Sequence, residues 1–341
     1  MGRGLLQKLV LGVATLLLLA GCDNGPKQEV LSGPTMGTSY NIKYLVEGDV
    51  ASPSELQQQI DDLLVQLNAQ MSTYKKDSEL SLFNRSRSLK PFAVSAETAL
   101  VVNEAIRLNQ LTDGALDVTV GPLVNLWGFG PEARPDKRPT EAELAERREI
   151  VGIDYLDVQS SYLVKKIPEL YVDLSTIAKG WGVDVVANFL ESEGIHNYMV
   201  EIGGELRLKG VNAELNPWRI AIEKPTAIGD RQAQLIVQPG DTAMATSGDY
   251  RNYFEEDGVR YSHIIDPTTG KPINNKVVSV TVLHSSAMTA DGLATGLMVM
   301  GDVDGINMAN EQGIAVLMVV KTQDGYKQIH TDAFAPYLPK S

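Results

Sequence analysis

Asp291 and Thr295 stand four residues apart in the stretch Ala-Asp-Gly-Leu-Ala-Thr at 290–295. In a helix that spacing puts the carboxylate and the hydroxyl on one face, one turn apart, and two hard oxygen ligands so placed suit a magnesium ion over a diphosphate. Asp291 sits among Ala290, Leu293, Ala294, Leu297, Met298 and Met300. A carboxylate in such surroundings is costly to bury unless it is paired or metal-bound; the other reading is an exposed Asp on an amphipathic helix. Ser285-Ser286 can cap this helix.

Two more segments carry chemistry. In Tyr171-Val-Asp-Leu-Ser-Thr-Ile-Ala-Lys-Gly-Trp-Gly-Val-Asp184 a strand is expected to end and Ser175 or Thr176 to cap a helix. Ala178, Gly180 and Gly182 are small enough to admit another group near the first turns, where free N–H groups and the helix dipole favour an anion. Lys179 adds charge there; the plainer reading is a turn whose glycines serve packing. In Tyr261-Ser-His-Ile-Ile-Asp-Pro-Thr-Thr-Gly270, His263 ends a strand before a turn. A neutral imidazole suits the removal of a proton from a hydroxyl nucleophile, although a structural histidine fits the same pattern. Asp266 can be turn chemistry. His196, His284 and His330 have no comparable context. An anion site, a proton acceptor and a hard-metal site together describe phosphate-bond chemistry.

The elements that must position these groups are legible in part. Residues 38–46 read as a first strand. Ser52-Pro53-Ser54-Glu55 is a helix start with an N-cap, Pro at N1 and Glu at N3, followed by an apolar face of Leu56, Ile60, Leu63, Leu64 and Leu67. A second helix is expected from Ser95 to about Leu111, ending near Asp113-Gly114, and 134–148 reads as a charged excursion closing in a short exposed helix. Beyond it, strands are expected at 170–174, 198–209 with an interruption at Gly203-Gly204, 218–222, 234–238, 250–265 with a turn at Asp257-Gly258, 277–283 and 314–320, and a helix at 176–193. Strands that neighbour in sequence with few helices between them favour an α+β class with mixed, largely antiparallel sheets and flanking helices.

The chain has 341 residues, 43% of them apolar, and a formal net charge of −13. It can bury a sizeable core, and its acidity, without a basic run, argues against nucleic acid as a partner. The apolar run 9–19 behind Arg3 and Lys8 is too short to span a bilayer and reads as a signal-peptide core. Cys22, the single cysteine, follows Leu-Ala-Gly. This resembles the lipobox of bacterial lipoproteins, in which the cysteine is lipidated and becomes the mature N-terminus; Asp23 resembles the signal for inner-membrane retention. An ordinary cleaved leader is the alternative. The division expected is a signal peptide at 1–21, a lipidated N-terminus and tether at 22–31, and one catalytic domain at 32–341.

The segments Gly33–Thr38, Ser72–Leu80, Gly114–Pro122, Asp173–Gly180, His263–Gly270 and Thr289–Thr295, in this order, resemble the ApbE flavin transferases. These are FAD:protein FMN transferases, often lipoproteins, with a T-fold-like α+β architecture. The resemblance implies FAD contacts at Met36, Tyr74, Ala115, Leu116, Asp117, Ser175, Trp181 and Ile265. It implies Mg²⁺ held by the Ala178 backbone oxygen with Asp291 and Thr295, and His263 as the base. Ser247-Gly248-Asp249-Tyr250 also matches the family, without an assigned role. Trp181 stands where tyrosine is common. The implied activity is Mg²⁺-dependent transfer of FMN from FAD to a Ser or Thr of an acceptor protein, with release of AMP, at the periplasmic face of the inner membrane. Acceptors in the family are subunits of redox pumps of the sodium-translocating NADH:quinone reductase and Rnf type. Two alternatives share the motifs: an FAD pyrophosphatase giving FMN and AMP, and a non-enzymatic FAD-binding lipoprotein.

Overall fold

The computed structural model describes residues 26–132, 138–223, 233–249, 253–256 and 258–339. The leader, Cys22, Tyr250 and Asp257 lie outside the described residues.

An eight-stranded sheet organises the chain. Its strands are β1 (Gln28–Thr35), β2 (Thr38–Leu45), β6 (Tyr198–Ile202), β7 (Glu205–Lys209), β10 (Ala243–Gly248), β15 (Val277–His284), β16 (Ala315–Thr322) and β17 (Gly325–His330). They lie side by side in that order, and every neighbouring pair is antiparallel. Small sheets stand apart from it: β3 (Phe92–Ala93) with β5 (Tyr162–Lys165) and β4 (Leu156–Gln159), β8 (Ile220–Glu223) with β9 (Ala233–Val237), β11 (Tyr253–Glu256) with β12 (Val259–Ser262), and β13 (Ile265–Asp266) with β14 (Lys271–Pro272). The helices are α1 (Pro53–Met71), α2 (Glu79–Arg85), α3 (Ala96–Leu111), α4 (Gly121–Leu126), α5 (Glu141–Arg148), α6 (Ala178–Ser192) and α7 (Ala287–Glu311). The α+β class read from the sequence is the class found.

Local chemistry explains several elements. Helix α1 starts with the full reciprocal cap, Ser52 accepting from the Glu55 N–H and Glu55 accepting from the Ser52 N–H, with Pro at N1. Its buried face is Leu56, Ile60, Leu64, Leu67 and Met71, with Leu63 half-buried. Ser95 caps α3, and the chain turns at Asp113 and Gly114, both at positive φ. The core between sheet and helices is continuous from Val280, Val282 and Val316 through Leu293 and Leu297 to Val102 and Leu108.

Three expectations are corrected. Residues 28–31, expected in the tether, are strand: β1 begins at Gln28 and pairs with β2 through a Met36-Gly37 turn, both residues at positive φ as the favoured hairpin turn requires. Residues 170–174 form no strand. Asn84 takes both the N–H and the C=O of Val172, and Asp173 N–H donates to Val118 O, so side-chain and loop partners replace a ladder. Neither Ser175 nor Thr176 caps α6, whose N-cap position is Ile177 without a side-chain bond. The strands β4, β5, β10 and β17 lie outside the ranges expected from the sequence.

Candidate functional site

A cavity of about 790 Å³ opens where α6, α7, β7 and β10 meet the hairpin turn at Met36 and the loop before α4. Its size falls in the roughly 300–1,000 Å³ range of small-molecule sites. Met36 and Tyr74 line it, as do Ala115, Leu116 and Asp117 from the loop after α3 and Ser175 from the approach to α6. His263 and Ile265 line it from the segment after β12, and Ala178, Asp291 and Thr295 from the two helices. Residues from six separate segments thus face one space. Trp181 is not among the lining residues: it is half-buried and packs on the hydrophobic core.

The polar end is built by two helices in close contact. Asp291, 3% exposed, points from α7 to the first turn of α6 and accepts the Gly180 N–H on Oδ2 at 3.0 Å. That donor is one of the N–H groups a helix start leaves without an internal partner, so Asp291 does the work expected of Ser175 or Thr176. Glycine is required there because a Cβ on Gly180 would lie 2.2 Å from Ala287 O. Thr295, one turn on, shares a hydrogen bond with Ser247 Oγ of β10 at 3.2 Å. Ser286 caps α7 as expected, accepting from Thr289 N–H, and Asp184 of α6 takes the Ala287 and Met288 N–H groups and the Ser286 hydroxyl. The two helices therefore cap one another.

Lys179 does not offer free charge to an anion. Its ammonium pairs with Glu205 Oε1 and stands 3.4 Å from Asp291 Oδ1. Burial depresses the ammonium, but Asp291 and Glu205 more than reverse that, and it is held above its ordinary value. Burial pushes the Glu205 carboxyl up to about 8, with Lys179 pulling it down and Asp291 pushing it up. Glu205 Oε2 is buried without a hydrogen-bond partner. Among the described residues no group of three His, Cys, Asp or Glu side chains is arranged to hold a metal ion. Glu205, Asp291 and Thr295 nevertheless all line the cavity, and their side chains offer oxygen donors, which suit a hard cation and not a thiophilic one.

His263 meets Phe129 edge-on, ring centroids 6.3 Å apart. Phe129 in turn contacts Phe254, which stacks on Tyr261, which stacks on Trp127. The imidazole is thus set at the end of an aromatic row rather than on a loose loop. Asp117 is committed to its own loop, accepting from Thr119 N–H and Oγ–H and from Ile153 N–H; burial raises its carboxyl. Asp266 accepts from Thr268 N–H and Thr269 Oγ–H, which is turn chemistry. Asp173 bonds Ser175 N–H, and burial raises it as well. Glu205 and Ser247 are among the polar cavity residues that carry no assigned role in the sequence. The Gly203-Gly204 interruption pointed to a turn but not to the acid that follows it.

The model of the ApbE family matches residues 36–318, most of the chain. The chain belongs to the ApbE family. A relative from Vibrio cholerae, named FAD:protein FMN transferase, is 65% identical over 98% of this chain and 100% of its own length. One from Haemophilus influenzae with the same name is 51% identical over 96% and 98%. Among solved structures, the flavin transferase ApbE from Vibrio cholerae is 64% identical with a TM-score of 0.87, covering 92% of this chain and 100% of that one. The apo flavinyl transferase ApbE of Pseudomonas stutzeri is 38% identical with a TM-score of 0.86, covering 94% and 99%. The ApbE motifs quoted from the sequence are, apart from Trp181, those that meet in the cavity.

Proposed function

We propose that this chain is an FAD:protein FMN transferase that moves FMN from FAD to a hydroxyl of an acceptor protein. The observation that carries the reading is the shared cavity, which His263 lines together with Asp291, Thr295 and the segments around Met36, Tyr74 and Ala115. Close relatives bear that name. The acceptor Ser or Thr oxygen attacks the FMN phosphorus as His263 takes its proton. A phosphoester bond forms, the bond to the AMP phosphate breaks, and AMP leaves with the electron pair. The flavin and adenine ends would rest on Met36, Tyr74, Ala115, Leu116, Ser175 and Ile265, which line the cavity. Asp291 and Thr295, with the Ala178 carbonyl, would hold Mg²⁺, which when bound neutralises charge on the diphosphate. An acceptor protein incubated with FAD and Mg²⁺ should become a flavin-fluorescent band on a denaturing gel, and EDTA should abolish it. Absence of that band in magnesium would contradict the reading.

The leader motif supports a location. Leu19-Ala-Gly-Cys22 is read as a lipobox, with Cys22 acylated and the catalytic domain held at the periplasmic face of the inner membrane. Membrane redox complexes of the NADH:quinone reductase and Rnf type are the acceptors that such a position favours. No helix among the described residues is long and apolar enough to cross a membrane. The acidic chain, with a formal net charge of −13, gives anionic headgroups nothing to attract, and attachment would rest on the acyl chains. Cys22→Ser should release the protein from membranes and remove the lipid mass. Freely soluble, unmodified wild-type protein from native cells would contradict the anchor.

A further inference from the structure

Lys179 meets two acids, Glu205 and Asp291. The ammonium comes from α6, Glu205 from the start of β7 and Asp291 from α7, so the cluster is assembled by the tertiary fold. Glu205 is 4% exposed and Asp291 3%, and Glu205 Oε2 finds no hydrogen-bond donor. An unpaired buried carboxylate oxygen is costly. A lysine ammonium has three protons and can satisfy only part of the four oxygens of two carboxyl groups. A divalent cation brings twice the charge and accepts several oxygens at once.

We propose that Lys179 is the built-in counter-cation of the metal site and that Glu205 is a further acidic group of that site, so that the ammonium and a divalent cation compete for the same carboxylates. The proposal rests on the magnesium reading above. Without metal the Lys179 ammonium is the cation that the two acids share. A bound divalent cation would take Asp291 as a ligand and give the unpartnered Glu205 oxygen a positive partner in place of the ammonium. Lys179 and Glu205 are positioning residues: neither needs to touch the reacting phosphorus.

Calorimetric titration of Mg²⁺ into the protein without FAD, comparing wild type with Lys179→Met and Glu205→Gln, tests this. Lys179→Met should bind Mg²⁺ at least about tenfold more tightly and Glu205→Gln about tenfold more weakly, within the range seen when groups around a metal site are changed. Added Mg²⁺ should also raise the melting temperature of Lys179→Met more than that of wild type, since metal bound only to the folded state stabilises it. Should Lys179→Met not fold, Glu205→Gln decides alone. Wild-type Mg²⁺ affinity in either folded variant overturns the proposal and leaves the magnesium reading standing. No Mg²⁺ binding by any of the three proteins, with FAD or without, overturns both.

Discussion

Asp291 Oδ2 accepts the Gly180 N–H at 3.0 Å, a bond between the two helices that the sequence separates by 111 residues. It makes one carboxylate both the cap of α6 and a member of the polar end of the cavity. Structure and chemistry are therefore hard to separate at this residue, and the choice of substitution matters.

Asp291→Asn keeps an oxygen for the Gly180 N–H but removes the charge. It should remain folded while transfer falls by about 10²-fold or more, the scale of a lost transition-state charge partner. Asp291→Ala should in addition lose about 1–3 kcal/mol of stability by stranding a buried N–H and the Lys179 ammonium. Urea unfolding beside FMN-transfer rates separates the two effects, and a fully active Asp291→Asn enzyme would remove Asp291 from the site.

Gly180→Ala tests the helix contact itself. The new methyl would meet Ala287 O at 2.2 Å, backbone that cannot swing away. We expect a loss of about 1–3 kcal/mol or more from overpacking, together with reduced transfer as α7 is pushed from α6. A variant with wild-type stability would show that the helices can part without cost.

His263→Ala should slow transfer by about 10²- to 10⁴-fold with nearly unchanged FAD affinity if the imidazole serves as general base. Phe129 packs against that ring, so Phe129→Ala should cost activity through misplacement of His263. Single-turnover kinetics beside FAD binding makes the distinction. Weakened FAD binding at wild-type turnover would make His263 a substrate-positioning residue instead.

The legible parts of the fold were those encoded locally. Ser52, Pro53 and Glu55 announce α1 within four residues, and Asp291 with Thr295 declares a shared helix face from spacing alone. What was misread depended on distant partners. Residues 170–174 have the look of a strand, yet Asn84 satisfies Val172 from 88 residues away. Ser175 and Thr176 look like caps, but Asp291 takes that role. Glu205 has no local signature because its meaning comes from Lys179, 26 residues off, and from α7. Strand β10, with its Ala, Thr, Ser and Gly, lacks the alternation that marks a half-buried strand, being covered by α7 on the inside and fixed between β7 and β15.

Acid should loosen the start of α7. His284 Nδ1 accepts the Ser286 N–H at the helix cap, and burial lowers the imidazole pKa below its usual value. A group whose folded pKa is depressed contributes stability that is complete above the unfolded value near 6.5 and is lost as pH falls through the folded value. Unfolding free energy should therefore decline below about pH 6.5, and His284→Gln should flatten that part of the profile. An identical decline in the variant would assign the effect to other groups.

The most direct test follows the fate of FAD with and without an acceptor. A docked hydroxyl has an effective concentration far above that of a weakly placed water, because binding has already removed much of the entropy of bringing reactants together. Intact-mass measurement should show an acceptor heavier by one FMN, with AMP released in equal amount and the label lost when the acceptor threonine or serine is replaced by alanine. Free FMN and AMP formed at the same rate whether or not acceptor is present, with no acceptor ever labelled, would contradict the transferase and leave an FAD pyrophosphatase in its place.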